Sequence, residues 1–301
     1  MVQKVRSYIL LILLFLALCV SAQAATQVVS EVSGAAQQEQ LSVQGYLYWQ
    51  QINQMRMNPY PQLERLGISR EQAHQALGKD AWVLYFGLPP LAWSDLLVQT
   101  AAGHGRDMID RLYYSYDTLE GETPLDRVFQ VGYDPQTVNE SLGLLGLDSY
   151  MNYERAISVL IDSLLRDELT GATGEKNTIL SPDVTEIGIS VFAETLDKVS
   201  GQPDIFLLVM DAARPTEQRP WIVGQVDEGY QVVLRNMEDE MWENLPILPG
   251  HWFQFSPPSE GVDFSLIDPE GFECEYGEYF QEGNDVVRFL DLRDIAVSDQ
   301  E

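Results

Sequence analysis

The run Ala101-Ala102-Gly103-His104-Gly105-Arg106-Asp107-Met108 carries one imidazole, and Tyr113-Tyr114-Ser115-Tyr116 follows it closely. An imidazole can serve as general base or as a metal ligand, and a phenol can donate a hydrogen bond. A zinc site needs three or four nitrogen, sulfur or carboxylate ligands. The whole chain has three histidines, His74, His104 and His251, and two cysteines, Cys19 and Cys274. Tyrosine is neutral at pH 7 and replaces imidazole poorly. The ligand count therefore argues against a metal, and no cofactor is assigned. Leu97, Ala101, His104, Met108 and Leu112 fall on one helical stripe, so His104 faces inward. A structural histidine, hydrogen-bonded through both nitrogens, fits that stripe better than a catalytic one.

Other motifs carry less. Gly171-Ala172-Thr173-Gly174-Glu175-Lys176 lacks the Gly-Lys pair of a phosphate loop, and neither Gly-x-Ser-x-Gly nor His-Glu-x-x-His occurs. Asn139-Glu140-Ser141 is a glycosylation sequon, relevant only on a eukaryotic secretory route. Asp268, Glu270, Glu273 and Glu275 offer oxygen ligands for calcium without an EF-hand loop, and a solvated acidic face explains them as well.

The elements that must position these groups begin after a leader. Lys4 and Arg6 precede the apolar run Ile9 to Val20 and the small-residue pattern Ala22-Gln23-Ala24, which reads as a signal peptide over residues 1–24 cleaved near Ala24. Leu18 is too bulky for a lipid-anchor signal at Cys19. No apolar run approaches the roughly 20 residues of a membrane-spanning helix. The expected destination is secreted, periplasmic or cell envelope. Loss of the leader moves the formal charge from −28 to −30, which repels nucleic acid and anionic lipid alike. It also leaves Cys274 alone, so the fold must hold without an internal disulfide.

Residues 25–41 are small, polar and aperiodic, a flexible lead. Tyr48, Ile52 and Met55 mark a helix from near Leu41 that stops at Asn58-Pro59-Tyr60-Pro61. Further helices are expected over Ser69 to Leu77, from the N-cap Ser94, from the capping box Thr123-Pro124-Leu125-Asp126 up to Gly132, and over Tyr150 to Glu168. Ile187, Ile189 and Val191 alternate as a strand, and Ile205 to Met210 reads as a central strand covered on both faces. From Arg214-Pro215 onward the composition turns acidic. Short runs at Trp221–Val226, Gln231–Leu234, Trp252–Phe255, Phe264–Ile267 and Val286–Leu290 then suggest a β-sandwich. The expected architecture is α/β: a three-layer αβα sandwich over residues 42–213, followed by a small acidic β-sandwich over 214–301.

The motif order of the first region resembles the CAP superfamily (cysteine-rich secretory proteins, antigen 5, pathogenesis-related proteins; SCP domains), in its bacterial branch. The resemblance rests on Ile52-Asn53 with Arg56, Pro90-Leu91-Ala92-Trp93, Ala101 with His104 and Asp107-Met108, and Thr123-Pro124 with Arg127 and Gly132-Tyr133. It continues through Asn139-Glu140-Ser141, Ile179-Leu180-Ser181-Pro182 and Glu186-Ile187-Gly188-Ile189. It implies a cavity that in family members holds two histidines and two acids, sometimes with a divalent metal. Tyr116 stands where the first cavity histidine is expected, Ser163 near the second acid, and Gly174-Glu175-Lys176 at the second histidine; Glu140 keeps the first acid.

The resemblance thus implies a ligand cavity built from Tyr114, Tyr116, His104, Glu140 and Glu186, with its metal site depleted. Glu140, buried without a cationic partner, would have its charged form disfavoured and could share a proton with Tyr116; equally, it could accept backbone N–H bonds and fix a loop. The leading functional expectation is a non-catalytic module binding a small apolar ligand or a peptide or protein partner, with no nucleic acid, no membrane span and no assigned oligomeric state. Lipid or sterol binding is what the family resemblance implies. One alternative is a hydrolase with His104 as base and Glu140 or Glu186 as orienting acid, which needs those groups around a common open point. Another is an envelope module stiffened by calcium.

Overall fold

A computed structural model describes residues 45–146, 151–171, 177–194, 205–236, 242–257, 262–279 and 287–293. The leader, the lead over 25–41 and the segment 172–176 lie outside the described residues. Helix α1 (45–57) buries Tyr48, Trp49, Ile52 and Met55, the face expected from their spacing, and ends at Asn58-Pro59. The prolines do more than stop it. Pro61 opens a second helix, α2 (Tyr60–Leu66), because proline in the first turn loses no needed N–H. Ser69 and Gln72 form a capping box on α3 (Arg70–Leu77), and the short α4 (Val83–Phe86) follows.

Strand β1 (Ala92–Trp93) leads into α5 (Asp95–Arg111). Ser94 occupies the N-cap without a side-chain bond, since its own N–H continues the strand pairing to Ile187 O at 2.9 Å. Leu112, expected on the buried stripe, instead caps the helix at φ 55° and is 83% exposed. Helix α6 (Pro124–Gln130) has the full Thr123–Asp126 capping box, and α7 (Tyr153–Thr170) runs from the Asn152 cap to Gly171.

Between these helices stands a four-stranded sheet in the order β1-β3-β4-β2, with β2 (Pro135–Gly146), β3 (Glu186–Glu194) and β4 (Ile205–Pro215). β1 is parallel to β3; β3–β4 and β4–β2 are antiparallel. The register sorts β4 by period two. Leu207 and Val209 join Ala101, Met108 and Leu142 beneath α5, whereas Leu208, Met210 and Ala212 join α1 and α7 on the other face. That is the αβα layering. α5 crosses β3 so closely that a Cβ on Gly188 would lie 2.1 Å from Val98 N, and one on Gly105 would lie 2.1 Å from the Phe192 ring. Either glycine replaced by alanine would push the helix off the sheet.

Residues beyond Pro215 form two further sheets: β11-β5-β8, from β5 (Trp221–Gln225), β8 (Trp252–Phe255) and β11 (Val287–Asp291), and β10-β9-β6-β7, from β6 (Gln231–Asn236), β7 (Trp242–Asn244), β9 (Val262–Ile267) and β10 (Glu273–Tyr279). Their inner faces meet through Ile222, Phe253, Phe264 and Leu266. The first of these sheets also packs on the αβα layers. Trp252 stacks edge-on against Trp49 with centroids 5.4 Å apart, and Val223 and Val287 enter the main core. Gln254 accepts from Trp93 N at 2.7 Å and donates to Trp93 O at 3.0 Å, closing the outer edge of β1.

Candidate functional site

The residues that carried the family resemblance are mostly joints. Asn53 bonds both the N–H and the C=O of Leu91 at 2.8 and 3.0 Å, and Trp49 Nε1 donates to the same carbonyl. Arg56, 2% exposed, donates to Ile179 O, Ser181 O and Pro89 O. Burial lowers its pKa to about 9, against the raising effect of Glu168, so it remains a cation at neutral pH. From α7, Glu168 accepts the N–H groups of Thr178, Ile179 and Leu180 at 2.7–2.8 Å. Burial pushes Glu168 up to about 7, although those three bonds and Arg56 pull the other way. The Ile179-Leu180-Ser181-Pro182 motif is thus a loop held between one buried cation and one buried acid.

His104 and Glu140 do come together. His104 Nδ1 donates to Glu140 Oε1 at 2.9 Å, and both side chains have no exposure. Arg127 Nη2 donates to the same oxygen at 2.8 Å and to Tyr116 O at 2.9 Å, while its Nη1 reaches Glu122 O. Across the sheet, Glu140 pairs in register with Asp211, whose Oδ2 accepts from Thr100 Oγ1 at 2.5 Å. Burial first, then the Glu140 charge, pushes Asp211 well above the usual carboxylate range. Glu140 Oε2 and Asp211 Oδ1 have no hydrogen-bond partner of ordinary geometry among the described residues.

Three expectations change here. Glu140 has a cationic partner, Arg127. The acid paired with it across the sheet is Asp211, and the Tyr116 carbonyl accepts from the same Arg127. His104 is bonded through one nitrogen only, for Nε2 has no partner among the described residues. The imidazole and the carboxylate are within the reach required of a base and its orienting acid, yet neither side chain has any solvent exposure.

A cavity lies elsewhere, along β2, the edge strand of this sheet among the described residues. It measures about 940 Å³ and is lined by Tyr114, Tyr116, Ser141, Leu142, Asp167 and Asn177, with Gln72 and Gln75 of α3 on its rim. β2 is an edge strand, and the period-two pleat turns Glu140 toward α5 while Ser141, bonded to Thr178 Oγ1 at 2.7 Å, faces the α7 side. Tyr114 Oη donates to Leu142 O at 2.9 Å and so covers one edge carbonyl. Tyr114 and Tyr116 line this cavity, and His104 and Glu140 are not among its lining residues. Tyr113 turns away to donate to Asp107 at 2.5 Å. Ser163 is exposed, and one turn further Asp167 and Glu168 are the acids that reach the cavity. Gly174-Glu175-Lys176 lies outside the described residues.

Glu186 belongs to neither place. It lines a separate cavity of about 410 Å³ and accepts from Trp221 Nε1 at 3.0 Å. Asn139 of the sequon is 6% exposed and donates to Asn177 O and Ser181 Oγ, so it is buried in β2 rather than presented. His74 meets Tyr85 Oη at 2.5 Å on the surface. Asp268 Oδ1 accepts the Phe272 N–H in the turn between β9 and β10. Among the described residues, no three His, Cys, Asp or Glu side chains stand together as a metal site, and no helix is long and apolar enough to cross a membrane.

Sequence reasoning missed Asp211, Arg127 and Glu168 as site residues. The available signals were an aspartate directly after the apolar run Ile205–Met210, an arginine directly after a capping box, and an acid near the end of the buried stripe of α7.

A family model described as "Cysteine-rich secretory protein family" (CAP) matches residues 49–200, half of the chain. No curated protein sequence matches it. Among solved structures, an extracellular protein containing an SCP domain from Bacillus anthracis is 20% identical, with a TM-score of 0.32, over 49% of this chain and 41% of that one. The chain thus spans about two fifths of that protein's length. An outer surface protein from Borrelia burgdorferi is 16% identical, with a TM-score of 0.33, over 46% of this chain and 96% of the other. Venom allergen-like protein 4 of Schistosoma mansoni is 14% identical, with a TM-score of 0.26, over 49% and 86%.

Proposed function

The chain belongs to the cysteine-rich secretory protein (CAP) family, and on that premise we propose that it is an exported, non-catalytic binding module whose ligand enters the cavity beside β2. The observation that carries this reading is the separation of the two polar centres. The 940 Å³ cavity is open and lined by hydrogen-bonding side chains, whereas the only paired imidazole and carboxylate among the described residues have no solvent contact. Amides, hydroxyls and Asp167 outnumber the aliphatic walls Leu142, Leu164 and Ala76, which supports a peptide-like ligand over a purely apolar one. The basic-then-apolar leader supports export with cleavage near Ala24.

The experiment is a binding screen of peptides, sterols and fatty acids against the purified chain and a Gln75→Trp variant that narrows the cavity mouth. Saturable binding that the variant loses is the expected result. Absence of saturable binding, or binding indifferent to the variant, overturns the reading.

A further inference from the structure

We propose that the cavity where β1 meets β5 is a binding site for a small organic ammonium ion. It encloses about 410 Å³, and its lining does not overlap that of the cavity beside β2. Three aromatic rings, Trp93, Tyr133 and Trp221, line it. A cation over such rings is attracted to their negative faces, most strongly where water is excluded. Carboxylates surround the same space: Glu186 inside, with Asp95, Asp134 and Glu217 about it, against Arg219 as the one basic lining residue.

Two buried groups point to what is wanted there. Glu186 is 6% exposed and accepts a hydrogen bond from the Trp221 indole at 3.0 Å. Tyr133, also 6% exposed, sets its hydroxyl beside the Glu186 carboxylate. Burial raises the phenol further from ionisation, so it stays neutral. An uncharged apolar guest would leave the acidic lining of the cavity unmatched, and an anion would meet the carboxylates. The positive N-terminal end of α5 also borders the cavity, but Asp95 in its first turn, held by Trp93 Nε1 at 3.1 Å, already offsets it. A bare divalent ion wants six or more converging oxygens, and no such cluster forms among the described residues. A cation carried on carbon fits the rings and the acids together.

The site needs both parts of the chain. Trp221 comes from β5, and Gln254 of β8 fixes the backbone of Trp93.

The test is calorimetric titration of choline, of its uncharged carbon isostere and of a lysine-containing tripeptide into the full chain. Tryptophan fluorescence serves as a second readout. Saturable choline binding is expected, with the isostere at least about tenfold weaker. Glu186→Gln should weaken choline about tenfold, and Glu217→Gln, on the exposed rim where folding is not at risk, should weaken it less. Arg219→Ala, which removes the competing cation, should tighten it. Equal binding of choline and isostere, binding of the tripeptide alone, indifference to both glutamate changes, or no choline binding overturns the proposal. Because Gln75→Trp leaves this site untouched, its failure and that of the cavity beside β2 are separable.

Discussion

Two polar regions flank β2, built from neighbouring residues yet opposite in kind. Glu140 enters a buried cluster with His104, Arg127 and Asp211, in which His104 Nδ1 and Arg127 Nη2 both donate to one carboxylate oxygen. Ser141, the next residue, turns to an open cavity whose tyrosines, amides and acids remain partly accessible. The same kinds of side chain therefore do different work. In the closed cluster they join β2, β4, α5 and α6; at the open edge they line the cavity that the proposed ligand would enter. An acid or imidazole in a family motif thus says little about access to substrate until its strand parity and covering helix are known.

The sharpest way to break this contrast is Arg127→Met, which leaves the Glu140 carboxylate buried without its cation. The expected loss is about 3–5 kcal/mol in urea unfolding. A variant of wild-type stability would mean that the cluster contributes nothing to the fold.

The pH dependence comes next. Glu168 at about 7, and Asp211 well raised, are both protonated more readily in the folded chain than in the unfolded one. Their stabilising contribution is complete below the ordinary carboxylate range and is lost as pH rises through the folded values. For Glu168 that window opens near 4.5 and closes near 7, and at about 1.4 kcal/mol per pKa unit the loss is on the order of 3 kcal/mol. Unfolding free energy should therefore fall between pH 5 and pH 8, and Asp211→Asn should flatten part of that slope. A rise over the same interval contradicts the assignment.

Glu168→Gln is a smaller change. The amide keeps one oxygen for Thr178 and Ile179 but turns its NH₂ toward Leu180 N–H, at a cost of about 1–3 kcal/mol. Amide exchange at residue 180 should accelerate more than at the centre of β4. The smallest effect belongs to the open side: Gln75→Trp, on an exposed face of α3, should alter stability by less than about 0.5 kcal/mol while abolishing ligand entry. A large loss of stability there would mean that the cavity rim is part of the core.

Much of the scaffold was legible in advance where periodicity is strong. The stripe of α1, the capping box of α6, the span of α7 and the strands at Ile187 and Ile205 all lie close to their expected places. β2 was not legible as a strand, because Asn139, Glu140, Ser141 and Gly143 have poor strand propensity. Eleven register pairs with β4 override that preference. β10, rich in glutamate and glycine, escaped for the same reason and is held by pairing with β9. α2 was hidden by reading Pro59 and Pro61 only as breakers.

The amino-acid order alone determined the family, the layered fold and the strongly acidic charge, because these depend on composition, spacing and local propensity. Tertiary structure alone decided that His104 and Glu140 are enclosed, that Arg127 and Asp211 complete them, and that Glu186 faces Trp221 from a different part of the chain. Those outcomes depend on strand register and helix cover, which bring together residues tens of positions apart and settle which face of a pleat meets solvent.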